Sequence, residues 1–461
     1  MCLFYFPDTC GVSTFIEENK KEMKRFFLIF LVIHVVFQAE VGAQNAKEWT
    51  LGDCISYALE RNIQVLKSGL SNERNEVNAL QAKAQKLMSV NASIGNNFNW
   101  SKSTSSGSSA LSSTLGSSYS LNSGITVFNG LRLNNQVKQA ELGIESGIYS
   151  LETIKESVSL SILNAYLQIL YAEEQVKNSL NQIKATEEEL ALAEERLLLK
   201  VISQADYAQV KSQLASEKLT LANAESQLAI TKVNLMQLME LPVTDSFKIA
   251  VPVITEPLNS NLIPDVKSVY ETALSVKPQI KNAEVNKQIS ALDEKIARAG
   301  YYPVLSVSAG VSSSYSDVLT DSYFSQLNDG IRPSAGFSIS IPIYQKNQVK
   351  SSVDLAKISY RDAELTEINT RNELRKSIEQ ACQDVISSQA EYEASLESYN
   401  AAAESGILSE EKFRQGLINS VDYLVSKTNL IAAESKLLQS KYKLIFSYKV
   451  LDFYNGVPLS L

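Results

Sequence analysis

Histidine, cysteine and proline are scarce in this 461-residue chain, and their scarcity excludes several classes of protein. The single histidine is His34 and the four cysteines form no cluster, so a metal site lacks its usual nitrogen and sulfur ligands. The sequence also contains no glycine-rich phosphate loop. We therefore predict no catalytic residues, no cofactor-binding residues and no metal ligands, and a protein that is not an enzyme.

Positive charge is in deficit as well. The chain carries 43 lysines and arginines against 51 aspartates and glutamates, a net charge of −8, and has no lysine- and arginine-rich run. Binding to nucleic acid depends on the neutralisation of phosphates by basic side chains. The composition therefore predicts no nucleic-acid partner.

The N-terminal segment has the pattern of a secretory signal. Lys24 and Arg25 precede an apolar run over 26–37, and Gly42 and Ala43 supply small residues for cleavage. The run is too short for a membrane-spanning helix. We expect a signal peptide over 23–43, preceded by an over-long N-terminal extension over 1–22. Cys54 and Cys382 would remain, and we expect two small buried side chains rather than a disulfide.

Proline is absent from residues 8–241 and 343–457, which leaves room for very long helices. Apolar residues recur there at steps of three and four, as Val158, Ile162 and Ala165 do, which is typical of coiled-coil-like helices. The pattern predicts helices over 134–199, 205–239, 347–413 and 421–453. At 1.5 Å per residue, each of the two long helices would extend roughly 100 Å.

Between the predicted helices, short segments alternate strictly between apolar and polar side chains. Val90 and Ile94 alternate with Asn91 and Ser93, for example. Because successive side chains of a strand point to opposite faces, the alternation predicts a β-hairpin over 89–128 with one apolar and one polar face.

A second alternating pair of segments predicts another hairpin over 303–344. Segments of about ten alternating residues around polar loops are typical of membrane β-strands. The residues predicted to face lipid are Val90, Ile94, Phe98, Trp100, Leu121, Ile125, Leu305, Val307, Val311, Phe337, Ile339 and Ile341.

The order of these elements repeats along the chain. The first repeat covers 44–240 and the second covers 265–455, with a proline-rich linker over 241–264 and a tail over 456–461. Three pairs of matching residues support the duplication: Gly95 with Gly310, Asn135 with Asn347, and Asp206 with Asp422, which lie 215, 212 and 216 residues apart. A repeat of this length indicates that both copies have one structural role.

Four strands with an apolar face cannot cross a membrane as an open sheet, because lipid cannot satisfy the backbone groups at its edges. The smallest single-chain barrels use eight strands. The sequence therefore predicts a mainly α fold with a transmembrane β part, and a chain that pools its strands with copies of itself.

This organisation resembles the TolC family of outer-membrane factors over about residues 47–455. The most specific likeness is the turn over 413–424, with Gly416 followed by Asp422; Asn62-Ile-Gln64 and Lys277-Pro-Gln279 resemble the family's segment after the first helix of each half. The resemblance implies a homotrimer with a 12-stranded barrel in outer-membrane lipid and a helical tunnel in the periplasm. It also implies two partners, a periplasmic adaptor protein and an inner-membrane transporter.

The resemblance also implies which residues line the tunnel constriction: Asp422, Val425, Asp206, Phe413 and Gly416. Val425 stands where the family has a second aspartate, Phe413 cannot donate a hydrogen bond, and Lys200 replaces the glycine in the first repeat. We expect packing of Phe413 with Leu417, Ile418 and Val421 to take over closure. The alternative role for Asp206 and Asp422 is N-capping of the helix after the turn, and both roles can coexist.

The function expected from this reasoning is an outer-membrane channel of an efflux pump or type I secretion system, a passive exit duct driven by the transporter. One rival is a periplasmic coiled-coil adaptor or structural protein without a pore, which has no use for four strands with one apolar face. A general porin is a second rival, and a diffusion pore needs no helices of this length.

Overall fold

The structure is a computed structural model, which describes residues 48–105, 108–244, 247–252 and 265–460. The predicted extension over 1–22 and the predicted signal peptide over 23–43 lie outside the described residues, as does most of the predicted linker. The chain divides into two units. Within the described residues, the smaller comprises 48–50, 244 and 247–250, and the larger comprises 51–105, 108–243, 251–252 and 265–460.

The described part of the smaller unit is a two-stranded parallel sheet. Strand β1, Glu48–Trp49, pairs with strand β4, Lys248–Ile249. The ring of Trp49 lies 6.2 Å from the ring of Phe247, and the Phe247 side chain is buried. This contact between aromatic rings packs the end of β1 against the residue just before β4.

The larger unit contains the two repeats. The first repeat runs in the order α1 Leu51–Arg61, α2 Ile63–Ala84, β2 Ser89–Ser105, β3 Ser108–Phe128, α3 Arg132–Leu198 and α4 Gln204–Leu238. The second runs in the order α5 Val266–Val276, α6 Pro278–Arg298, β5 Val304–Ser316, α7 Tyr323–Asp329, β6 Arg332–Ser340, α8 Gln348–Arg414 and α9 Ser420–Tyr454. The predicted fold class, mainly helical with a β part, is confirmed.

The repeats match in length and in backbone conformation. α3 and α8 each contain 67 residues, and α4 and α9 each contain 35. Residues with a left-handed backbone occur in pairs 216 residues apart: Gly130 and Lys346, Leu131 and Asn347, Lys200 and Gly416, Glu240 and Gly456.

This constant separation corrects one of the three matches taken from the sequence. Asn347, just before α8, corresponds to Leu131 and not to Asn135. The error is four residues, about one helical turn, which leaves apolar residues on nearly the same face of the helix. The pattern of apolar residues therefore could not reveal the shift, whereas Asp206 and Asp422 are matched correctly.

The shorter helices of each repeat pack along its long helix. α2 and α4 pack against α3, α6 and α9 pack against α8, and α6 also packs against α3, which joins the repeats. The middle of α3 is buried most deeply, including Ile162, Tyr166 and Ile169. Cys54 and Cys382 are both buried, and neither forms a disulfide, as predicted.

The two helix junctions that resemble the family's segment use different chemistry. Asn62 caps α2, and its side-chain amide donates to the Leu238 carbonyl at 2.9 Å. In the second repeat, the buried Lys277 Nζ lies 3.1 Å from Glu156 and 3.1 Å from the ring centre of Phe453. Burial lowers the pKa of Lys277, and Glu156 opposes that shift. Asn62 therefore links the start of α2 to the end of α4, and Lys277 links the start of α6 to the end of α9.

The four long strands form one antiparallel sheet in the order β2-β3-β5-β6. Each hairpin leaves one helix and re-enters another, so the sheet lies at one end of α3 and α8, and the turns before α4 and α9 lie at the other. Two details differ from the sequence prediction. The loop between β5 and β6 contains the short helix α7, and Ile341 lies beyond the end of β6.

Among the described residues, no helix combines the length and the apolar character needed to span a bilayer.

Substitutions at Lys200 and Gly416, in the turns before α4 and α9, test whether both residues have a left-handed backbone. An ideal Cβ on Gly416, at φ 75°, would have no neighbour within 4 Å, so Gly416→Ala should cost only the backbone strain, about 1 kcal/mol. Lys200→Gly should have the opposite sign and a smaller size, because glycine also frees the unfolded chain. Apparent melting temperatures in one detergent measure both. A rise with Gly416→Ala would contradict the left-handed assignment.

Candidate functional sites: a two-faced sheet and a helical tip

The sheet carries apolar side chains on one face across all four strands. Leu121 pairs with Ala92 on one side and Val311 on the other, and Ile125 pairs with Val307, which pairs with Phe337. The residues of the predicted lipid-facing set that this pairing puts on one face are Val90, Ile94, Phe98, Trp100, Leu121, Ile125, Leu305, Val307, Val311, Phe337 and Ile339. Ile341 is the exception, since it follows the strand. Whether this face contacts lipid stays a prediction.

Many side chains of this face have no cover from the described chain. Ile94 is 73% exposed, Trp100 69% and Phe337 76%. A contiguous apolar surface of this size is typical of a contact with membrane or with another protein. The apolar band also crosses the sheet diagonally, from Leu305–Val311 on β5 to residues 90–100 on β2. The hydrocarbon layer of a bilayer contacts tilted strands along such a diagonal, as in membrane barrels.

The opposite face is polar and almost free of charge. The Ser93 and Ser120 hydroxyls lie 2.6 Å apart, and the Asn122 amide donates to Ser120 at 3.0 Å. Serine, threonine, asparagine and glycine dominate this face, and among its described strand residues Arg332 carries a charge. Gly310 allows close packing there, because a Cβ on it would approach the Asn122 side-chain oxygen to 2.5 Å.

At the far end of the helices, the two tip aspartates have different surroundings. Ser203 caps α4, and its hydroxyl donates to Asp206 at 2.7 Å while accepting from the Asp206 backbone amide. Asn419 caps α9 and accepts from the amide of Asp422. The aspartates therefore stand at the third helical position, and the capping residues are Ser203 and Asn419, which corrects the predicted N-capping role.

The two repeats also expose their aspartates unequally. Asp422 is exposed, and Val425, one turn further along α9, is 55% exposed on the same side of that helix. Asp206 is only partly exposed and lines a cavity of about 170 Å³. Of the residues predicted to form a constriction, Asp206 and Phe413 line this cavity, whereas Asp422, Val425 and Gly416 do not.

A network of polar side chains that the sequence did not suggest joins the two repeats beside this cavity. The Tyr423 hydroxyl donates to Glu189 on α3. Lys427 Nζ lies 2.6 Å from the Thr186 hydroxyl, 3.1 Å from Glu189 and 3.8 Å from Glu217. Thr186 in turn donates to Glu217 at 2.6 Å. One lysine thus compensates two largely buried carboxylates from α3 and α4.

Tyr423 is the aromatic centre of this network. Its ring stacks on Phe413 with centroids 4.8 Å apart and an angle of 6°, and Arg196 lies 5.9 Å from the Phe413 ring. Burial, followed by the hydrogen bond to Glu189, raises the pKa of the Tyr423 hydroxyl, so it stays a donor at physiological pH. Leu417 and Val421 are exposed in the single chain and Ile418 is partly exposed, so their packing with Phe413 to close the tunnel stays a prediction.

The network has no equivalent between the corresponding positions of the other repeat. Residues 216 positions before Tyr423 and Lys427 are Tyr207 and Lys211, so the donors are duplicated. The acceptors are not. The counterparts of Thr186, Glu189 and Glu217 are Ala402, Ser405 and Ala433. The repeated tyrosine and lysine were the available signal in the sequence, but their acceptors lie more than 200 residues away and share no local pattern with them.

Comparison with known proteins yields one family. The sequence model described as "Outer membrane efflux protein" matches residues 54–240 and 269–456. The chain is 24% identical over 307 residues to the pyoverdine export outer membrane protein OpmQ of Pseudomonas aeruginosa, a match that covers 64% of this chain and spans 60% of the relative's length.

Two solved structures have a similar fold. CusC superposes with a TM-score of 0.74 at 17% identity, over 91% of this chain and 96% of that chain. The outer membrane protein VceC of Vibrio cholerae superposes with a TM-score of 0.72 at 18% identity, over 88% of this chain and 96% of that chain.

Removal of the shared cation tests the network at the tip. Lys427→Met leaves Glu189 and Glu217 without their positive partner, and breaking such a largely buried arrangement should cost about 3 kcal/mol. Opening of the first turns of α9 would then be easier, so we expect faster amide hydrogen exchange over 420–430. Lys211→Met, the exposed counterpart in α4, is the matched control. Equal exchange in the two variants would show that the network does not hold the repeats together.

Proposed function

Because this chain belongs to the outer membrane efflux protein family, we propose that it is the outer-membrane channel of a tripartite efflux pump or type I secretion system. The channel is a passive exit duct for small molecules or polypeptides. It performs no chemistry, and an inner-membrane transporter supplies the energy. The two-faced sheet at the end of long paired helices carries this proposal, because it combines a lipid-facing surface with a polar surface for water.

The number of strands supports an assembly of several copies. β2 and β6 are the edges of a four-stranded sheet, and their backbone groups have no partner in lipid. In a homotrimer, β6 of each copy pairs with β2 of the next and closes a 12-stranded barrel. The duplicated helices then form a six-fold arrangement below it, with two quasi-equivalent hairpins from each chain.

The polar face of the sheet lines the barrel in this assembly. Serine and asparagine side chains such as Ser93, Ser120 and Asn122 present hydroxyl and amide groups to the passage without fixed charge. Apart from Arg332 at the start of β6, the described strand residues of this wall are uncharged and favour neither cations nor anions. Charge selectivity is therefore assigned to the tip, where Asp422 is exposed in each chain.

The tip also meets the partners. Leu198, Leu199 and Val201 in the first turn and Leu417 and Val421 in the second are exposed apolar residues at the end of the helices. They are the surface for a periplasmic adaptor, which links the channel to the transporter. The rival of an adaptor or structural protein without a pore leaves the exposed apolar face of the sheet without a role.

A pair of neighbouring substitutions tests the orientation of the sheet. Ile94→Lys puts a charge on the proposed lipid face, which should cost about 2–4 kcal/mol per protomer and prevent trimer assembly in the outer membrane. Ser93→Lys, one residue away, should assemble and change only conductance. Migration of unheated samples on gels and planar-bilayer recording distinguish them. The reverse result would overturn the orientation and the proposed function with it.

The role of the exposed aspartate is tested separately. Asp422→Asn removes three negative charges from a trimer, and we expect a lower preference for cations in single-channel recording. Val425→Asn changes size and polarity on the same side of α9 without changing charge, so it should leave the reversal potential unaltered. An unchanged reversal potential in Asp422→Asn would exclude Asp422 from the constriction.

A further inference from the structure

The loop between β5 and β6 folds back onto the sheet instead of extending from it. Tyr323, the first residue of α7, packs against Tyr315 with ring centroids 4.6 Å apart and ring planes tilted by 52°, and its hydroxyl lies 2.6 Å from that of Tyr119. The Ser313 hydroxyl donates to the Leu327 carbonyl at 2.6 Å. The Gln326 side chain, which is buried, accepts from the Ser316 backbone amide at 2.9 Å. These contacts fix α7 to the sheet.

The contacts also place α7 on the apolar face. Ser313 pairs with Tyr119, and in the alternation of β5 it follows Val311 on the same face. α7 therefore lies directly above the apolar band, at the end of the sheet remote from the long helices. From Leu305 to Ser313 the strand extends about 26 Å, which at a tilt of about 40° is roughly 20 Å along the membrane normal, most of the apolar band of about 25 Å in membrane barrels.

The outer surface of this segment is apolar and uncovered. Phe324 is 80% exposed, although its ring contacts Tyr323 edge-on. Val318, Leu319 and Ile331, on either side of α7, are each more than half exposed. In a loop that faces water, four exposed large apolar side chains within fourteen residues would be unfavourable to solvate and would promote aggregation.

A second copy of the chain is not the cover for this surface. α7 contacts β3 and β5, the two inner strands of the sheet, and a neighbouring copy meets the sheet at its outer strands β2 and β6. Asp321, just before α7, and Asp329, its last residue, are acidic and exposed, so full immersion in hydrocarbon would be costly. The depth that suits both sets of residues is the boundary between lipid headgroups and acyl chains.

We propose that α7 and its flanking residues are an interfacial anchor, with the Phe324 side chain inserted at the boundary of headgroups and acyl chains of the membrane. The anchor rests on the proposed function, since it requires that the apolar face of the sheet meets lipid. Tyr119, Tyr315 and Tyr323 form the aromatic layer beneath it, with an apolar body and a polar end. The anchor sets the height of the barrel in the bilayer, because it stops the apolar band from sliding inward.

Tryptophan fluorescence in bilayers tests the anchor. The chain contains two tryptophans, Trp49 and Trp100, which are replaced by phenylalanine to give a silent background. Single tryptophans are then introduced as Phe324→Trp in α7, Leu121→Trp in the apolar band and Ser312→Trp on the polar face. Each assembled protein is placed in phosphatidylcholine vesicles whose acyl chains carry bromine near the headgroup or near the methyl end.

We expect Phe324→Trp to lose most fluorescence with the shallow bromines, Leu121→Trp with the deep bromines, and Ser312→Trp with neither. If Leu121→Trp is quenched while Phe324→Trp behaves like Ser312→Trp, the anchor is wrong and the proposed function stands. If Phe324→Trp is quenched chiefly by the deep bromines, the interfacial depth is wrong. If Leu121→Trp is not quenched, the lipid-facing assignment fails, and the proposed function and the anchor fail together.

Discussion

The hydrogen-bonding requirement of strand edges is the constraint on which this structure depends. β2 and β6 each present a row of backbone amides and carbonyls, next to a face of uncovered apolar side chains. In lipid nothing except another strand can satisfy such groups, and leaving them unpaired costs several kcal/mol for each group. The chain is therefore incomplete alone. The proposed ring of three copies removes both edges, and the helices must then hold the hairpins at the spacing that the ring requires.

That spacing explains why α3 matches α8 and α4 matches α9 in length to the residue. Each added residue lengthens a helix by about 1.5 Å and rotates the rest of that helix by about 100°. A single insertion in α3 but not in α8 would turn one tip away from the other. The constant separation of 216 residues avoids this, and it is kept even where the left-handed backbone falls on Leu131, Lys200 or Glu240. Strain at a few turns is a smaller cost than a helix out of register.

Sequence reasoning reached the features that repeat locally and missed those that depend on distant contacts. The long helices and the strand faces follow from periods of about 3.5 and 2, which every residue in the element supports. α7 is seven residues long and is held by Tyr119 and Ser313 from outside its own segment, so its sequence alone is too short to show a helical period. The tip network joins Glu189 to Tyr423 across 234 positions, and no local pattern connects them.

The side chains that bind Tyr423 and Lys427, namely Thr186, Glu189 and Glu217, occur in the first repeat and are not repeated in the second. This difference has a mechanical consequence. In a ring of three copies, six joints between helical hairpins alternate around the tip. Three joints lie within chains, where Tyr423 and Lys427 bind Glu189, and three lie between chains, where Ala402, Ser405 and Ala433 offer no carboxylate. A load that widens the tip separates the weaker joints first. In the proposed trimer each chain would then move as one rigid body, and the aperture would open with threefold symmetry although the helices are arranged in six.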